Sequence, residues 1–338
     1  MNKFDYVKKA LRHEADSIVP FYIRLTLEGY DAYGDRLLQD YHNPDVMEDY
    51  RAGLLSKNEA VDLAIGNFMF PAPYPWWDWN YETMPPEFCD PEAEPDRMPD
   101  TVKFGEETEA AFARTRYLRE KYGTYMIMLV WASHWEKAYY TRGIENMLAD
   151  FAALPEFSQQ LLDFIVDTNM RNFRQLLTCK EYDGVLLGSD WGTQRSLIMS
   201  PDCWRRMIRK GEERQYRAIH AAGKDVWIHS CGCILQVMQD LCQLEVDGLN
   251  PVQPECMDLE FLKKTYGDQL TFWGGISTQR TLPYGTPAQV RAETERVVRL
   301  MSEHGGYITA PSQEIQTDVP YENLKALIDT ARSFAGLA

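Results

Sequence analysis

The second half of the chain constrains the fold most. From residue 183 onward, short apolar runs alternate with helical patterns: "DGVLLGSD" (183–190), "DVWIH" (225–229), "VDGLNP" (246–251), "LTFWGG" (270–275) and "GYITAP" (306–311). Each run is nearly continuous in apolar residues, as expected of strands covered on both faces. The intervening stretches have helical punctuation. In 200–224, Ser200 is placed to cap, Pro201 takes the first helical position, and Gly223 ends the helix. Strand and helix alternating at this spacing are the signature of a parallel sheet built from βαβ units. Three earlier runs, "SIVPFYIRL" (17–25), "AVDLAIGNF" (60–68) and "TYMIMLVWA" (124–132), bring the expected strands to eight. The fold class this predicts is α/β, a closed (β/α)8 TIM barrel occupying residues 1–338 as a single domain, which suits a chain of this length. Residues 71–103 break the pattern. They form a Pro- and acid-rich insertion without periodicity, containing "PAPYPWWDWNYE".

Composition excludes several functions. Acidic residues outnumber basic ones 51 to 35, a formal charge of −16 that repels nucleic-acid backbones. No apolar run approaches the roughly 20 residues needed to span a bilayer, and the N-terminal stretch lacks the apolar segment of a secretory signal. The expected compartment is the cytoplasm. Seven cysteines, odd in number and scattered, favour thiols or metal ligands over a disulfide framework. Trp76, Trp77 and Trp79 in the insertion form either a wall over an apolar ligand or a packed surface, including the interface of a homodimer.

In a barrel of this kind the chemistry collects where the strands end. The polar residues placed there are Ser189, Asp190 and Trp191; His229 and Cys231; Asn250, Gln253 and Glu255; and Ser312, Gln313 and Glu314. A strand end with only a turn to make does not need such a set. "VWIHSCGC" (226–233) carries the sharpest signal. An imidazole and a thiolate two residues apart make half of a zinc site. The same residues also suit an ordinary buried strand end, whereas a redox pair would call for Cys-x-x-Cys, which is absent here. Asp190 is a candidate acid or hydrogen-bond partner. His134 and Glu136, after the run at 124–132, are candidates of the same kind.

Taken together, "HEADSIVP", "GSDWGTQRSLIMSP", "AIHAAGKDVWIHSCG", "DGLNPVQPECMD", "LTFWGGI" and "GGYITAP…DVPYENLKALI" resemble the uroporphyrinogen decarboxylase superfamily, and within it the corrinoid-dependent methyltransferases of coenzyme M and O-demethylase systems. The resemblance is strongest over residues 183–338. It implies a TIM barrel and a zinc-dependent methyltransferase that moves a methyl group between a small donor, an aryl or alkyl methyl ether, and the corrinoid (cobalamin) of a partner protein. The alternatives it leaves are a uroporphyrinogen decarboxylase-like decarboxylase and a non-catalytic metal- or corrinoid-binding barrel. The chain departs from the family in two places. Where the decarboxylases carry an arginine-rich motif, this chain has "FYIRLTLEGY", with Arg24 alone. Where the coenzyme M enzymes carry a third metal-binding Cys, it has Gln313. By resemblance to cobalamin-independent methionine synthase, the implied metal set is His229, Cys231 and Glu255. Asp190, Glu314 and His134 are then the catalytic candidates, and Trp76, Trp77, Trp79, Trp191, Gln253 and Gln313 the substrate-lining ones.

Overall fold

Apolar runs form the strands where the sequence places them in the second half. The computed structural model describes residues 1–76 and 106–337. Among the described residues there are seven strands: β1 (Met69–Pro71), β2 (Tyr125–Val130), β3 (Gly184–Gly188), β4 (Asp225–His229), β5 (Gly248–Val252), β6 (Thr271–Ile276) and β7 (Tyr307–Pro311). Helices lie between them, which makes the class α/β. The chain divides into two compact units.

One unit comprises Pro71–Tyr117 and Met126–Asp247. In it β2, β3 and β4 run parallel. Val226, Trp227 and Ile228 of β4 and Val185, Leu186 and Leu187 of β3 are fully buried, so both faces of these strands are covered. The β3–β4 register pairs Gly184 with Asp225 and Gly188 with His229. That register matters for function. Extended by two residues past the ends of the ladder, it brings Asp190 alongside Cys231. The helix Pro201–Met207 begins where the sequence predicts, with Ser200 capping the Cys203 amide at 3.1 Å and Pro201 in its first turn. A second helix, Arg209–Ala221, leads on to β4.

The other unit comprises Met1–Phe70, Leu118–Tyr125 and Gly248–Ala338. Here β5, β6 and β7 are parallel. The expected strand at 17–25 forms no ladder. It pairs through isolated parallel bridges, Phe21 to Thr309 and Leu25 to Ile315, and is held further by the Phe68 amide on the Phe21 carbonyl and by Asn67 bonding both backbone groups of Ile23. The expected strand at 60–68 is mostly helix, Lys57–Ala64, followed by the short β1. The sequence carries the reason. Ser56 and Glu59 form a reciprocal capping box, and Ala60, Val61, Asp62, Leu63 and Ala64 are all buried, as in a helix enclosed by its surroundings. The insertion predicted at 71–103 lies mainly outside the described residues.

The helix Arg209–Ala221 is tied to β4 by a charge pair. His220 Nε2 lies 2.8 Å from Asp247 Oδ2, and the same oxygen accepts the Val226 amide at 2.7 Å. The Asp247 hydrogen bond raises the His220 pKa from its ordinary 6.5, against an opposing effect of burial. A group whose pKa is raised on folding stabilises fully below its unfolded value and loses that contribution as pH climbs through the folded one. Urea unfolding of wild type and His220→Asn should therefore differ most below the ordinary histidine value of 6.5 and converge as pH rises through the raised folded value. A gap that stays constant across that range would contradict the assignment.

Candidate metal centre

The β3–β4 register sets the backbone of the site, and two glycines allow its loops to close on each other. A Cβ on Gly192 would stand 2.3 Å from the Cys231 carbonyl oxygen, and one on Gly232 would stand 2.4 Å from that of Thr193. Gly232 also has φ +81°, a left-handed conformation that favours glycine. The loops after β3 and β4 are thus in backbone contact, with the Cys233 amide bonded to the Thr193 carbonyl at 2.7 Å. Cys233 is buried in this pairing. Further bonds join the same two loops. The Cys231 amide donates to Asp190 Oδ1 at 2.8 Å, and the Trp191 amide donates to Ser230 Oγ at 3.0 Å.

Three ligand-bearing side chains converge as a result. Among the described residues, one carboxylate oxygen of Asp190, one ring nitrogen of His229 and the Cys231 sulfur lie within 4.8 Å of one another. Cys231 Sγ is 3.4 Å from His229 Nε2, and that nitrogen is 3.6 Å from Asp190 Oδ1. Bonds of about 2.0–2.3 Å to a tetrahedral zinc would hold N, O and S ligand atoms roughly 3.3–3.6 Å apart. These two separations match that spacing, while the third pair, the Asp190 oxygen and the Cys231 sulfur, lies within 4.8 Å. Three protein donors of mixed N, S and O type would leave a tetrahedral ion one open position, which catalytic zinc sites keep and structural ones fill.

The surroundings are asymmetric. His229 is buried, while the Asp190 side chain is about a third exposed at 36%. Trp131 stands edge-on to the His229 ring, centroids 4.8 Å apart, and is itself 49% exposed. Sequence reasoning passed over Trp131; the signal was an aromatic residue closing the apolar run "YMIMLVW". Glu136 is buried nearby. Burial first, and then the Asp190 charge, push its carboxyl up to about 7.

The other candidates fall in different places. Asp190, expected as an acid, is the third member of the candidate cluster with His229 and Cys231. Glu255, expected in that role, belongs to the other unit, where it accepts the Ser277 hydroxyl through Oε1 and keeps Oε2 buried. Trp191, expected among the substrate-lining residues, has its side chain in the interior. It is fully buried, edge-on against Trp204 at 5.2 Å. His134 is fully buried too, its Nδ1 2.9 Å from Glu212 Oε1, and so it faces a helix rather than the donor trio. Trp76 packs on Tyr74 and Phe173 at 5.9 and 5.5 Å, while Trp77 and Trp79 lie outside the described residues. Gln253, Gln313 and Glu314 do come together. With Gln279, Gln316 and Asp318 they line a polar cavity of about 190 Å3 within the other unit. Glu314 is paired there with Arg24 at 3.4 Å; burial raises its pKa and Arg24 opposes the rise.

The model of the uroporphyrinogen decarboxylase family matches residues 82–334, about three quarters of the chain. The chain belongs to that family. Among solved structures it is similar to a methyltransferase from Methanosarcina mazei, at 16% identity and a TM-score of 0.70, with 99% of each chain covered. At that identity the likeness establishes the fold. A rutinosidase from Aspergillus niger aligns at 14% identity over 92% of this chain and 97% of its own, with a TM-score of 0.48. No curated protein matches the sequence. Among the described residues no helix is long and apolar enough to cross a membrane.

The close approach of the two loops gives a direct test. Gly192→Ala must push the Cys231 carbonyl away and so spread the donors. Co2+ titration should show affinity at least about 10-fold below wild type, since displacing the support of a metal ligand costs on that scale. Unaltered affinity in Gly192→Ala would show that the loop contact does not shape the centre.

Proposed function

We propose that the protein is a zinc-dependent methyltransferase that takes a methyl group from a small methyl ether, aryl or alkyl, and delivers it to the corrinoid of a partner protein. The observation that carries this reading is the convergence of Asp190, His229 and Cys231 with separations that suit a tetrahedral ion. These three side chains would hold the Zn2+, which supplies Lewis-acid stabilisation to the oxygen that departs from the methyl group. His229 and Cys231 fix the position of that charge because both sit on one strand end, and the Cys231 amide holds Asp190 in place through Oδ1. Trp131 offers an exposed aromatic edge beside His229, suited to an apolar or aryl donor. Methyl transfer of this kind is mostly positioning and charge stabilisation, and a rigid strand-end site serves both.

Decarboxylation of a carboxylate-rich tetrapyrrole is less well supported. Such a substrate needs several cations, and Arg24 is already engaged by two carboxylates, Asp62 Oδ2 at 3.3 Å and Glu314 Oε1 at 3.4 Å. The formal charge of −16 adds to the mismatch.

The test is metal analysis of the purified protein followed by demethylation of a methoxyarene such as 2-methoxyphenol, with cob(I)alamin as acceptor. About one zinc per chain is expected, and His229→Ala and Cys231→Ala should each lower both metal content and methyl transfer by more than about 100-fold. Metal-free wild type with full activity, or turnover of a uroporphyrinogen with no methyl transfer, would overturn the reading.

A further inference from the structure

Behind the donor trio lies a second set of polar side chains that the proposed chemistry does not use. His134 and Glu212 are both fully buried, with His134 Nδ1 2.9 Å from Glu212 Oε1. The same carboxylate oxygen is 3.5 Å from Ser189 Oγ, which lies 3.5 Å from Ser133 Oγ. Ser133 donates to the Gly188 carbonyl through both its amide and its hydroxyl at 2.9 Å, while Asn169 donates to the Ser133 carbonyl at 2.5 Å and to Gln215 Oε1 at 2.8 Å. Gly211 is shaped for the arrangement, since a Cβ there would stand 2.5 Å from His134 Cε1. His134 Nε2 remains buried without a hydrogen-bond partner, and the fully buried Tyr216 hydroxyl also interacts with the Glu212 carboxylate.

An acid–imidazole pair is an expensive way to fill a core. Burying a carboxylate costs several kcal/mol, and a well-packed apolar pair of similar volume is often as stable or more so. The arrangement therefore needs a reason other than stability, and its connections supply one. Ser189 immediately precedes Asp190, and its amide donates to the His229 carbonyl at 2.9 Å. Ser133 lies two residues beyond Trp131. Glu212, from the helix Arg209–Ala221, thus reaches through Ser189 and His134 the two strand-end segments that carry Asp190 and Trp131 to His229.

We propose that Glu212 is a positioning residue for the metal centre, setting through His134 and Ser189 where Asp190 and Trp131 stand against His229. The proposal rests on the reading of Asp190, His229 and Cys231 as metal donors, and its test separates the two. Co2+ is titrated into metal-free wild type, into Glu212→Gln, which keeps an acceptor oxygen at Oε1, and into the double variant His134→Leu with Glu212→Met, an apolar pair of similar volume. The double variant should melt within about 3 °C of wild type, yet bind Co2+ about 10–100-fold more weakly and with altered ligand-field absorption, whereas Glu212→Gln should stay within about 3-fold of wild type. A folded double variant with wild-type Co2+ affinity and spectrum would overturn the proposal. If the double variant does not fold, Ser133→Ala with Ser189→Ala removes only the hydroxyl links; a loss of about 3–10-fold supports the proposal and unchanged affinity overturns it. If wild type itself binds no Co2+, the metal reading fails. The positioning role is then judged on a crystal structure of the metal-free double variant, where Asp190 Oδ1 displaced from the Cys231 amide supports it and Asp190 still in place overturns it.

Discussion

One hydrogen bond organises the site: the Cys231 amide donating to Asp190 Oδ1 at 2.8 Å. It joins the loop after β3 to the loop after β4, and it orients a carboxylate toward an imidazole and a thiol that would otherwise share a strand end alone. The bond exists because the two strands pair Gly188 with His229, and because Gly192 and Gly232 let the loop backbones approach closer than any side chain would permit. A charge-assisted bond from a backbone amide is stronger than a neutral one and fixes the acceptor's direction. Trp131 meets the His229 ring beside this junction, and the buried acid–imidazole pair reaches it through Ser189, the residue before Asp190.

Much of the fold was legible in the sequence. The strands from residue 184 onward are apolar runs too short for anything else, bounded by glycine, proline and polar clusters, and they form where expected. The first half was harder to read for physical reasons. "AVDLAIGNF" is apolar enough for a strand, but the Ser56–Glu59 cap decides for helix. "SIVPFYIRL" has strand composition and reaches β7 by bridges alone, since Pro20 cannot donate within a ladder. Of the site, His229 and Cys231 could be picked out because their spacing is local. Asp190 as third donor depends on inter-strand register, which a single sequence does not display. The burial of His134 and Trp191 depends on which way a residue faces just past a strand end, which periodicity cannot report there.

Family membership alone would not select a reaction, because chemistry resides in the side chains grafted onto a fold. In this chain the cation that a polyanionic substrate would need, Arg24, is neutralised by Asp62 and Glu314, while nitrogen, sulfur and oxygen donors gather at another strand end. Burial of Asp62 raises its pKa to about 6 even beside the guanidinium. Such a group works as internal structure around an arginine, not as an exposed receptor.

The three donors have a kinetic consequence. Asp190 and Cys231 are 41 positions apart, and everything that brings them together is one strand, the helices that follow it and the next strand. Contacts of short sequence separation form early, because little loop entropy must be surrendered first. Residues 184–233, one strand–helix–strand unit, contain all three candidate donors. The candidate centre therefore draws on a single βαβ unit and would need no strand outside it to supply a ligand atom.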